Sequence, residues 1–84
     1  MSTNGARHRG TRSAFVICLE NGEYEADLLV GKVYRRVKPE KNDRAADLRV
    51  IDESGEDYLY PAKWFVPVEL PAKAKRVLST ARAA

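Results

Sequence analysis

Residues 52–70 read Asp52-Glu-Ser-Gly-Glu-Asp-Tyr-Leu-Tyr-Pro-Ala-Lys-Trp-Phe-Val-Pro-Val-Glu-Leu70, and they restrict the fold more than any other stretch of the chain. Ser54-Gly55 separates Leu48-Arg-Val-Ile51 from Tyr58-Leu-Tyr60, two runs of strand composition, which predicts a β-hairpin. A two-residue loop would need positive φ at both positions or glycine first, and the order Ser-Gly meets neither demand well. A three-residue loop with Gly55 left-handed does, and it places Leu48, Val50, Tyr58 and Tyr60 on one face. The two-residue alternative would put Leu59 beside Leu48 and Val50, because a slip of one residue exchanges the faces. Pro61 cannot donate to a ladder, so pairing should stop there. A tight turn through Ala62 and Lys63 then leads to Trp64 and a last short strand with Phe65, Val66 and Val68, ended by Pro71. In extended chain the adjacent Trp64 and Phe65 point to opposite sides.

The earlier residues fit the same architecture. Ala14 to Leu19 has the β-branched and aromatic content of a strand, and Asn21-Gly22 is a strong short hairpin signal. The returning arm Glu23-Tyr-Glu-Ala-Asp27 would set Glu20 opposite Glu23, and the hairpin would gather Glu20, Glu23, Glu25 and Asp27. Such acids either select a basic residue of a partner or simply keep an exposed edge soluble. Leu28-Leu-Val30 is an apolar plug before Gly31. In Lys32-Val-Tyr-Arg-Arg-Val37, Val33, Arg35 and Val37 share one face and Lys32, Tyr34 and Arg36 the other. Pro39 ends this strand, and residues 39–46 form a polar loop. Beyond Leu70, Pro71 suits the first position of a helix. Leu70, Ala74, Val77, Leu78 and Ala81 recur at helical spacing, with Lys73, Lys75, Arg76 and Arg82 off that stripe. The expected division is a disordered basic tail over residues 1–13, a five-stranded all-β unit over 14–70, and a short basic amphipathic helix over 71–84 that frays from Ser79. A helix of this length needs to dock to be stable, and capping an open end of the sheet is its simplest role.

The order hairpin, aromatic, proline, small residue, polar residue, aromatic and strand, carried by Tyr60, Pro61, Ala62, Lys63 and Trp64, resembles the end of a Src-homology-3 (SH3) domain. The segment Asp-Glu-Ser-Gly-Glu-Asp-Tyr-Leu-Tyr-Pro is also similar to that of a family of small uncharacterised bacterial proteins with an SH3-like β-barrel. The resemblance implies a small five-stranded barrel in which Pro61 and Trp64 fall on groove positions. Under it, residues 20–27 stand where a long first loop captures Arg or Lys of a ligand, and Tyr34 turns inward. Three departures limit what it implies about Pro-rich ligands. An Ala-Leu-Tyr-Asp-Tyr motif is missing near residue 15, Tyr24 is the only aromatic of the acidic hairpin, and Leu48 stands where the peptide-binding family has tryptophan.

Charge separates the candidate functions. The net charge is +3, but residues 1–18 carry +3 through Arg7, Arg9 and Arg12, residues 71–84 carry +4, and the middle holds 8 basic and 12 acidic residues. An acidic body with basic ends weakens a nucleic-acid reading drawn from overall charge. Lys32, Arg35, Arg36, Lys38, Lys41 and Arg44 are the basic concentration of the body and would be the phosphate-tracking strip of a nucleic-acid-binding small barrel. A solvated strand beside acidic neighbours is the plainer reading of the same residues. Cys18 is the only cysteine and His8 the only histidine, so neither a disulfide nor a zinc site of the usual ligands is expected. Cys18 lies in an apolar run, where a thiol is usually a small buried hydrophobe. Asp52, Glu53, Glu56 and Asp57 lack the spacing of a calcium loop. With no nucleophile beside a base and no phosphate loop, an enzyme is not expected, nor is any cofactor. The expectation is a cytoplasmic interaction module. Glu20, Glu23, Tyr24, Glu25, Asp27, Pro61 and Trp64 would meet a protein or peptide with basic residues. No membrane span is expected, and nothing in the sequence speaks to oligomeric state.

Overall fold

The computed structural model describes residues 14–83, with side chains through residue 78. The expected basic tail of residues 1–13 lies outside the described residues. The chain forms β1 (Phe15–Cys18), β2 (Val33–Arg36), β3 (Asp47–Ile51), β4 (Asp57–Pro61), a 3-10 turn (Ala62–Trp64), β5 (Phe65–Val68) and helix α1 (Ala72–Ala83). All strand pairs are antiparallel, in the order β4-β3-β2-β1-β5.

The β3–β4 hairpin turns through Glu53, Ser54 and Gly55, with Gly55 at φ +89. The Asp52 carboxylate accepts hydrogen bonds from the Ser54 amide at 2.9 Å and the Ser54 hydroxyl at 2.6 Å, a local turn that offsets the cost of bending the chain. Leu48 therefore faces Tyr60 and Val50 faces Tyr58, the register of the three-residue loop. This face is the core side of the sheet. Val16, Cys18, Leu28, Tyr34, Val50, Tyr60 and Phe65 form one buried cluster, with Leu48 and Trp64 packed against it. Phe15, on the opposite face, is also buried.

The sheet is not closed into a barrel by backbone pairing, contrary to the sequence expectation. Its ends are β4 and β5, and each carries a proline, Pro61 and Pro67, that withholds a ladder donor. Yet only the 3-10 turn joins these two edges. Three linking residues span about 10 Å, whereas the edges of a flat five-stranded sheet stand about 19 Å apart, so the sheet is strongly curled.

A second correction concerns residues 19–32. No return strand follows Asn21-Gly22. The Tyr24 amide bonds the Asn21 carbonyl at 2.7 Å, and the Leu28 amide bonds the Tyr24 carbonyl at 2.9 Å, so two successive turns replace the tight hairpin. Glu20 and Glu23 are accordingly not cross-strand partners. The Asn21 side chain donates to the Leu28 carbonyl at 3.0 Å and closes the loop from within. Of the apolar plug, Leu28 is fully buried while Leu29 and Val30 are exposed.

Helix α1 starts with the Lys75 amide bonded to the Pro71 carbonyl and runs past Ser79 to Ala83. Ala74, Lys75 and Leu78 are half-buried. Val77, expected on the buried stripe, is 62% exposed.

Candidate functional site

Four aromatic rings meet where the loop of residues 19–32 crosses the end of the hairpin. Tyr24 lies 5.2 Å from Tyr60 edge-on, 6.0 Å from Trp64 and 6.5 Å from Tyr58, and Tyr60 stacks on Trp64 at 6.2 Å. Tyr60 is the buried floor, Trp64 is half-buried, and Tyr24 and Tyr58 are exposed. Glycine at position 22 permits this arrangement. A Cβ there would sit 2.7 Å from the Trp64 ring, and φ at Gly22 is +54, so the loop rests directly on the indole face. Beside the rings, Tyr24, Arg49, Asp57, Tyr58 and Leu59 line a shallow cleft of about 340 Å³ around the exposed edge of β4.

The loop that carries Tyr24 also carries four acids. Glu20, Glu23 and Glu25 are exposed and Asp27 is half-buried, and none of the four is in an ion pair with another described residue. The loop is held from below rather than by its charges. The Asp27 carbonyl accepts the Glu53 amide at 2.9 Å. Glu53 in turn accepts from the Tyr34 hydroxyl and the Lys32 ammonium, both at 2.6 Å, while the Leu29 amide donates to the Tyr34 oxygen at 2.8 Å. Tyr34 is buried as expected, and burial together with the Glu53 hydrogen bond pushes its phenol well above the ordinary range. Tyr60 behaves alike, because burial and its 2.6 Å bond to the Asp52 carboxylate both favour the neutral ring.

Tyr24 and Trp64 are thus brought together, and the four acids lie on the loop that carries Tyr24. Pro61 is not brought to them, since it lines a separate hollow with Arg44, Ala46, Asp47, Ala62 and Lys63. Tyr58 and Asp57 border this surface and Tyr60 is its floor, although the sequence reading did not count them among the binding residues. Two tyrosines on one face of a strand beside a turn was the available signal.

The basic strip is divided by the pleat. Arg35 faces away from Tyr34, whereas Lys32 and Arg36 flank it. Lys32 is paired with Glu53 at 2.6 Å and Arg44 with Asp47 at 3.1 Å. Arg36 borders a different, apolar cleft of about 540 Å³ with Val16, Leu48 and Phe65. Arg35, Lys38 and Lys41 are exposed. The turn acids are also engaged: Asp52 by Ser54 and Tyr60, Glu53 by Lys32 and Tyr34, and Asp57 by Arg49 at 2.9 Å.

Cys18 is fully buried with its Sγ donating to the Glu20 carbonyl at 3.2 Å, and burial pushes its thiol up. Among the described residues no three His, Cys, Asp or Glu side chains gather as a metal site, and no helix is long and apolar enough to cross a membrane. Comparison with models of protein families, with curated proteins and with solved structures finds no match.

Proposed function

We propose that this chain is a non-catalytic interaction module with an SH3-like arrangement of strands, and that the Tyr24–Trp64 surface binds a basic segment of a protein partner. Support for the strand arrangement comes from the order β4-β3-β2-β1-β5, the 3-10 turn between the edge strands and the strong curl that this turn imposes. The observation that carries the binding reading is that one loop presents the exposed Tyr24 ring, packed near Trp64, together with carboxylates that have no cationic partner among the described residues. Aromatic faces attract guanidinium and ammonium groups, and unpaired acids at the rim select for positive charge. A nucleic-acid surface has less support, because the basic strip is split between two faces and Lys32 and Arg44 are already paired.

The test is titration with an Arg-containing basic peptide and with its Glu-for-Arg counterpart, read by Trp64 fluorescence. The basic peptide should bind and the acidic one should not. Tyr24→Ala and the pair Glu23→Gln/Glu25→Gln should each weaken binding by about tenfold or more, equivalent to about 1.4 kcal/mol. Binding that these variants leave unchanged, or no binding by the folded protein, would reject the reading.

A further inference from the structure

The partner of that surface has so far been described only as basic, and the chain itself contains a segment of the required chemistry. Helix α1 holds no acidic residue over Ala72–Ala83, while residues 19–31 hold no basic one. The helix turns Ala74, Lys75 and Leu78 inward and leaves Lys73, Arg76 and Val77 on one exposed face, at the i, i+3, i+4 spacing that makes side chains neighbours. Val77 is 62% exposed, an apolar side chain beside two cations. The acidic loop offers the complement, with exposed Leu19 and Tyr24 among Glu20, Glu23 and Glu25.

Topology disfavours the contact within one chain. Strand β5 runs antiparallel to β1, so α1 leaves the sheet at the end where β1 begins, whereas the acidic loop leaves from the other end. A two-fold pair resolves this geometry, because side-by-side copies in opposite directions bring each helix to the other's loop and satisfy both contacts at once.

We infer that the chain self-associates as a two-fold dimer, in which the Lys73–Arg76–Val77 face of α1 in one copy docks on the Tyr24 acidic loop of a second copy. This rests on the binding surface proposed above and names its occupant. Free basic segments would then compete with the dimer for the same loop.

Sedimentation equilibrium of the full chain at roughly 0.1 mM, where micromolar association is saturated, should give twice the 9.4 kDa of one chain at low salt. The dimer should dissociate between about 0.01 M and 1 M salt, as the screening length falls from about 30 Å to about 3 Å. Glu23→Lys/Glu25→Lys should be monomeric, and so should Lys73→Glu/Arg76→Glu, with circular dichroism confirming that both fold. Mixing these two variants should restore a heterodimer, since each then presents the charge the other lacks. Val77→Ser, at an exposed position, should fold as the wild type and weaken the dimer. A wild type that stays monomeric at low salt while binding the basic peptide would overturn self-docking and leave the surface intact. A dimer indifferent to both reversals, or variants that stay monomeric when mixed, would overturn it as well.

Discussion

At Gly22 two requirements meet that no other residue type satisfies together. The turn needs φ +54, and the Trp64 ring occupies the space a side chain would use, with two of its atoms 2.7 and 2.9 Å from the position of a Cβ. Gly22→Ala should therefore combine left-handed strain with overpacking and cost about 2 kcal/mol. Because Trp64 is the only tryptophan, its emission should shift as the loop lifts, and a urea titration read at that wavelength measures the loss. An unchanged midpoint and spectrum would mean that the loop does not rest on the indole. The same scale explains why Asn21-Gly22 misleads as a hairpin signal. The side chain of Asn21 is spent on the Leu28 carbonyl, and Gly22 serves a ring contact, so the pair makes a loop turn rather than a strand reversal. Neither partner is near in sequence in a way that local turn chemistry reveals.

Among the elements, the β3–β4 hairpin was the most legible, because Gly55, the alternation of Leu48 with Val50, and Pro61 each act locally and agree. The polar loop before it was not legible, since what orders it is a side chain from the hairpin. Arg49 places Nε and one terminal nitrogen on the two oxygens of Asp43 at 2.9 and 2.8 Å, and its other terminal nitrogen on Asp57 at 2.9 Å. This fork ties residues 39–46 to the outer face of the hairpin and leaves Arg49 unavailable to a ligand. Its hydrogen bonds hold the Asp43 carboxyl at about 2, below its ordinary 3.8, while the guanidinium is pushed further up. A carboxylate with a depressed folded pKa contributes stability that is present above its unfolded value and is lost as pH falls through the folded one. The wild type should accordingly lose stability between pH 3.8 and about 2. In Asp43→Asn this part of the pH dependence should flatten. Urea midpoints measured across the interval check the assignment, and identical slopes would sink it.

Over residues 14–83 the chain is a curled sheet with one core and a helix attached to its end. Strand composition and turn residues made the five strands readable, but the two edges, where Pro61 and Pro67 lie, were not expected of a barrel. The sheet's failure to close was hidden because closure depends on edge pairing that no single strand encodes. The helix was readable from spacing, but the outward placement of Val77 was not, since a stripe of apolar residues is wider than the surface it meets here. The division of labour can be tested by ending the chain at Leu70. Every member of the buried cluster lies between Val16 and Phe65, so the sheet carries its own core, and among its described side chains α1 adds the partial burial of Ala74, Lys75 and Leu78. Leu78 with half-buried Ala74 and Lys75 is worth about 1–3 kcal/mol, a loss that one cooperative unit can absorb while keeping its transition. The truncated chain should unfold in one step, with far-ultraviolet circular dichroism and Trp64 fluorescence giving the same midpoint, lowered relative to the full chain. Separate midpoints, or no transition at all, would make α1 a structural member of the sheet, because Phe15, buried on the face away from the cluster, would then depend on the helix for its cover.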